Sequence, residues 1–104
     1  MLVDSHCHLD FSDLAENLSS VLDLMRSNDV AGAVCIGVTL EELPRVLSLA
    51  ETHRHIFASV GVHPETTDIK EPTVAELVRL AQHSKVVAIG ETGLDYYWHK
   101  DQPE

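Results

Sequence analysis

Short apolar runs alternate with amphipathic segments along the whole chain. Residues 1–6, MLVDSH, predict a first strand. In residues 12–28, Leu14, Leu18, Val21, Leu22 and Met25 recur at helical spacing, with Ser12 or Asp13 as N-cap and Asn28 and Asp29 as the stop. VAGAVCIGV (residues 30–38) is continuous and β-branched, the pattern of a strand buried on both faces. Residues 40–53 predict a second helix, with Pro44 tolerated in its first turn. IFASVGVH (residues 56–63) predicts a third buried strand. Residues 73–84 predict a third helix, which follows Pro72 and turns Leu77, Leu80 and Ala81 inward. KVVAIGETGLD (residues 85–95) is a fourth strand running into a loop.

The order is β-α-β-α-β-α-β. Crossovers of this length make the strands parallel and put the helices outside the sheet, an α/β fold. The first strand is not followed by GxGxxG, which disfavours a nucleotide-binding doubly wound sheet. Four strands do not close a barrel, so the pattern fits either a small open sheet or the first part of a larger protein. We expect the second: DQPE (residues 101–104) looks like the cap of a further helix. Residues 1–104 are then one partial domain.

Composition narrows the chemistry. With 7 Lys and Arg against 17 Asp and Glu, the net charge is −10, which argues against a protein that coats nucleic acid through a basic surface. It leaves room for phosphate bound through cations, which reverse the local field. No apolar run reaches the roughly 18 residues of a membrane span, and no signal peptide is visible. Cys7 and Cys35 sit in unrelated sequence contexts and make no disulfide framework, so a reducing cytoplasm is expected.

Polar residues fall where each strand should end: His6 and His8 after the first, His63 after the third and Glu91 after the fourth. That edge is where parallel α/β folds build their sites. Strand alternation puts Asp4, His6 and His8 on one face and Cys7 on the other. Two imidazoles two residues apart can reach one ion, and imidazole suits Zn, Fe, Ni or Cu, while added carboxylates widen the choice to Mn and Mg. Glu91 directly follows VVAIG, and a carboxylate there is costly to bury unless paired or metal-bound. Gly90 is expected to permit close backbone approach beside it. His63, in GVHP, is open to ligation, to phosphate contact or to a solvated loop. Asp95 either orients a ligand from behind or caps its own turn. His53, His55 and His83 lie near predicted helix C-termini, which suits partial positive charge. The cluster from Tyr96 to His99 could stack bases but reads more simply as packing.

Taken together, DSHCHLD, VGVHP and AIGETGLDYY, in this order and spacing, resemble the TatD family of metal-dependent deoxyribonucleases. The resemblance implies the N-terminal part, about four βα units ending at strand 4, of a (β/α)8 TIM barrel of about 250 residues. It implies two divalent ions, with Mg²⁺ the common activator and Zn²⁺, Mn²⁺ or Ni²⁺ as other occupants. It also implies hydrolysis of DNA phosphodiesters, as a 3′→5′ exonuclease on single-stranded ends. By position, His6 and His8 match ligands of one metal and Glu91 matches the bridging carboxylate. His63 matches a histidine that lines the active site and touches substrate phosphate, which makes Glu91 and His63 the catalytic candidates. Asp4 and Asp95 are left as supporting residues behind the ligands. Thr92 stands where isoleucine is more usual in the family. Two further histidines and an aspartate of the family pattern have no match in these 104 residues. The chain alone is therefore expected to be inactive and to self-associate through exposed strand edges. Two other readings stay open: a different HxH metallohydrolase acting on a small ester or amide, and a non-catalytic fragment.

Overall fold

The computed structural model describes residues 1–65 and 71–97. Trp98, His99 and the DQPE segment lie outside the described residues.

The strands are β1 (Leu2–Cys7), β2 (Val30–Cys35), β3 (Ile56–Val60) and β4 (Val86–Ile89). They form one parallel sheet in the order β1-β2-β3-β4. The helices are α1 (Ser12–Ala15), α2 (Leu18–Ser27), α3 (Leu43–Thr52) and α4 (Val74–Ala81). The expected alternation and the parallel pairing are both present. The match ends there for the first helix, which is two helices rather than one. Helix α1 stops after one turn at Glu16, and α2 begins after Asn17. Neither expected N-cap is used: Phe11 occupies the cap of α1, without a side-chain cap bond. The stop at Asn28 and Asp29 is as expected, with Asp29 in the left-handed region at φ 58°.

Local chemistry explains the other helices. Pro44 sits in the first turn of α3, where its missing N–H costs nothing. Helix α4 starts on a capping box. Thr73 Oγ1 accepts the Glu76 N–H at 3.0 Å, and Glu76 Oε1 accepts the Thr73 N–H at 3.4 Å.

The core lies between sheet and helices. Leu22 of α2, Val46 and Ala50 of α3, Ala33 and Cys35 of β2, and Ile56, Ala58 and Val60 of β3 pack there with Leu9 and Leu43. Leu77, Leu80 and Ala81 of α4 pack against this cluster, as their spacing predicts. The outer strands differ: Leu2 and Val3 of β1 and Val87 and Ile89 of β4 are all exposed. These are the two edges of the sheet, and their apolar side chains are uncovered. Among the described residues, no helix is long and apolar enough to cross a membrane.

One irregularity bears directly on the site. From Asp4 to Cys7, β1 uses three steps while β2 uses two, from Ala33 to Cys35. The extra residue breaks the period-two alternation at Ser5 and His6. The expected common face for Asp4, His6 and His8 therefore does not run unbroken through this strand. The same register sets Cys7 opposite Cys35, so the two cysteines, unrelated in sequence, are neighbours across β1 and β2.

Candidate metal centre

The C-terminal ends of the strands bring three of the expected residues together. Glu91 follows β4, His6 lies near the C-terminal end of strand β1, and His63 follows β3. Glu91 Oε2 stands 3.4 Å from His6 Nε2, and Glu91 Oε1 stands 3.1 Å from His63 Nε2. Each carboxylate oxygen thus faces a different histidine. The Glu91 side chain is about one-third exposed, so the cluster is open to solvent and to ligands.

His8 lies just past β1. Its ring meets that of His6 edge-on, with centroids 5.3 Å apart, and stacks on Phe11 at 4.4 Å. His8 Nδ1 is buried and has no hydrogen-bond partner among the described residues. A buried ring nitrogen left so costs about 1–3 kcal/mol unless something outside these residues meets it.

His63 is held differently. Its Nδ1 accepts the Glu65 N–H at 2.9 Å. An Nδ1 that accepts places the proton on Nε2, which then donates to Glu91. This tautomer suits donation to an anion better than metal ligation. The backbone N–H of His63 also donates to Val38 O at 2.8 Å, which ties the loop after β3 to the end of β2.

The supporting aspartates do local work. Asp4 Oδ1 accepts the backbone N–H of His6 at 3.0 Å, so it steadies the strand where His6 leaves it. Asp95 Oδ1 accepts the Tyr97 N–H at 2.9 Å, a bond of the turn-capping kind.

Backbone packing beneath Glu91 corrects one expectation. Gly90 was expected to be the glycine that permits close approach, yet a Cβ there would meet nothing within 4 Å. The close approach is at Gly61. A Cβ on Gly61 would lie 2.6 Å from Gly90 O and 2.7 Å from Gly90 C. The reason is that the chain leaving β4 passes over the end of β3: Gly90 N–H donates to Val60 O at 2.9 Å. Glu91 N–H donates to Gly37 O at 3.4 Å, and the Gly90–Glu91 peptide is cis. Ser59, buried in β3, bonds to both Gly37 and Gly90. The sequence carried a signal for it: a hydroxyl inside the apolar run IFASV needs a partner.

The donors fit a divalent cation. Two ligands at adjacent corners of a tetrahedral ion with bonds of about 2.1 Å stand about 3.4 Å apart, as His6 Nε2 and Glu91 Oε2 do. The unpartnered His8 nitrogen lies on the same edge. Among the described residues, however, no three His, Cys, Asp or Glu side chains are already gathered at metal-binding spacing.

Comparison with known proteins identifies the family. A family model described as TatD related DNase matches residues 3–104. The metal-dependent hydrolase YabD of Bacillus subtilis (strain 168), of uncharacterized function, is 36% identical over 101 residues, which cover 96% of this chain and 40% of YabD. The similarly named hydrolase TatD of Mycobacterium tuberculosis (strain ATCC 25618 / H37Rv) is 37% identical over 100 residues, which cover 93% of this chain and 38% of that protein. Among solved structures, YjjV, a TatD homologue from Escherichia coli K12, superposes with a TM-score of 0.81 at 30% identity, over 98% of this chain and 40% of YjjV. The four parallel strands and the helices between them are thus a matching portion of that TIM-barrel fold, and the chain spans about 40% of the length of these relatives. A family match over nearly every residue, joined to histidines and a glutamate converging at the C-terminal edge of the sheet, shows that the chain belongs to the TatD-related family of metal-dependent hydrolases.

Proposed function

We propose that this chain supplies the first part of the site of a DNA phosphodiester hydrolase, with 3′→5′ exonuclease action on single-stranded ends. One observation carries the reading. Glu91 turns its two oxygens to opposite sides, one toward His6 at 3.4 Å and one toward His63 at 3.1 Å. A carboxylate so placed would offer Oε2 to a cation shared with His6, while Oε1 accepts from His63. His6, His8 and Glu91 are the residues that would hold the metal. When bound, such ions polarise phosphate oxygens and lower the pKa of a bound water to near neutrality. Mg²⁺ is the proposed activator, with Zn²⁺, Mn²⁺ and Ni²⁺ as other candidates.

The chain's own residues do the remaining work. His63, protonated at Nε2, donates to a phosphate oxygen and helps orient the scissile group. Its Nδ1 bond to Glu65 N–H fixes that tautomer. The partial exposure of Glu91 leaves room for a strand end. At a net charge of −10, the chain repels DNA, and cations held at this edge offset that repulsion locally. The family description, TatD related DNase, supports DNA as the substrate.

The test is a chimera in which residues 1–104 replace the matching segment of YabD. It is assayed with Mg²⁺ or Mn²⁺ on 5′-labelled single-stranded DNA, a phosphomonoester and a cyclic amide. Stepwise loss of 3′ nucleotides that Glu91→Gln abolishes is the expected result. Turnover of the amide or the monoester, with DNA untouched, would instead select the small-substrate metallohydrolase.

A further inference from the structure

We infer that Ser59 is a positioning residue for the Glu91 carboxylate, acting through the backbone of Gly90 and Gly37; the inference rests on the metal reading above. Ser59 is 1% exposed, in a strand whose neighbours are all apolar. Its hydroxyl is used on both sides. It donates to Gly90 O at 3.0 Å and accepts the Gly37 N–H at 3.2 Å. Gly37 follows β2 and Gly90 follows β4, so one side chain in β3 ties together the ends of the strands on either side of it. Gly37 O then accepts the Glu91 N–H at 3.4 Å. The result is a closed circuit: Gly37 N–H to Ser59, Ser59 to Gly90 O, and Glu91 N–H back to Gly37 O.

The circuit ends on the peptide that carries the Glu91 side chain. Without the hydroxyl, the buried Gly37 N–H and the part-buried Gly90 carbonyl both lose a partner, and the Gly90–Glu91 peptide is free to shift. Gly61 blocks movement from below only as a hydrogen atom can, by contact and not by bonding. Ser59 is therefore the attractive element of the cradle and Gly61 the permissive one. Residues that orient metal ligands in this indirect way typically change metal affinity by about 10–100-fold when removed.

The experiment titrates the full chain with Co²⁺ and follows its d–d absorption, which reports both affinity and ligand geometry. The variants are Ser59→Ala, Ser59→Cys, which keeps the bulk with a weaker donor, and Ala50→Gly, a destabilising change in α3. Ser59→Ala is expected to weaken Co²⁺ binding about tenfold, at the low end of that range, and to alter the absorption bands. Ser59→Cys should fall between it and the parent chain and decides the matter if Ser59→Ala does not fold. Ala50→Gly should lose stability with no change in affinity or spectrum. In the metal-free protein, Ser59→Ala should also speed hydrogen exchange at the Gly37 amide. A parent signal unchanged in both Ser59 variants, or lost equally in Ala50→Gly, overturns this inference alone. A parent chain that gives no Co²⁺ signal overturns the metal reading, and this inference with it.

Discussion

Gly61→Ala adds one methyl group where the chain crosses itself under the site. That carbon would sit 2.6 Å from Gly90 O, and ordinary contact begins near 3.4 Å, so the Gly90–Glu91 segment must retreat by about 0.8 Å. Gly61 does not adopt the left-handed backbone that favours glycine, so the cost is contact alone. Because the clashing atoms are backbone, no side-chain rotation relieves it. Overpacking of this kind costs about 1–3 kcal/mol of stability. The functional effect is larger, since a displacement near 1 Å can cost about 100-fold in a site that depends on placement. The predicted outcome is a Co²⁺ affinity lowered by about 10–100-fold, beside a modest fall in the urea midpoint. Gly90→Ala is the matched control. It adds the same methyl one residue from Glu91 but meets nothing within 4 Å, so affinity should change less than threefold by the same contact reasoning. Isothermal titration of both variants decides it. Unchanged affinity in Gly61→Ala, or equal damage from Gly90→Ala, would refute the assignment of Gly61 as the permissive glycine.

The remaining predictions concern other parts of the fold. The Cys7 thiol is lowered by its hydrogen bond with Cys35, while the same contact and burial push Cys35 far up. A lowered thiol ionises at lower pH, so iodoacetamide should label Cys7 below the pH at which a free cysteine reacts, with Cys35 unlabelled until unfolding; mass spectrometry across a pH series that found Cys35 labelled first would contradict this. Thr73→Ala removes the cap bond to Glu76 and should lower stability by about 1 kcal/mol, read as a shift in the urea midpoint at constant slope. The exposed apolar residues on β1 and β4 predict concentration-dependent association of the isolated chain. Light scattering should show it, and Val87→Lys should reduce it.

Much of the fold was legible because the hydrophobic pattern and the layer rule demand one another. Buried runs of β-branched residues spaced by helical crossovers have few arrangements other than a parallel sheet with outer helices. The break between α1 and α2 was not legible, because Leu14 and Leu18 keep helical spacing across it and nothing local marks Asn17 as a stop. Within the site, His6, His63 and Glu91 were found by their chemistry, as polar residues at the ends of apolar strands. Their supporting frame was hidden. The extra residue in β1 depends on pairing with β2, and alternation read from one strand alone cannot reveal it. Gly61 and Gly90 look alike in sequence; only the path of the chain after β4 shows which one lies under another backbone. Cys7 and Cys35 likewise become neighbours through register, across 28 residues of chain.

The central claim is that the C-terminal edge of this sheet holds a divalent cation between His6, His8 and Glu91. Anomalous diffraction from crystals of the chain soaked in Zn²⁺ tests it most directly. The account predicts the strongest peak within bonding distance of His6 Nε2, His8 and Glu91 Oε2, and its loss in Glu91→Gln crystals soaked in the same way. Zn²⁺ bound elsewhere on the chain, with this edge empty and the His6–Glu91 contact unchanged, would contradict it.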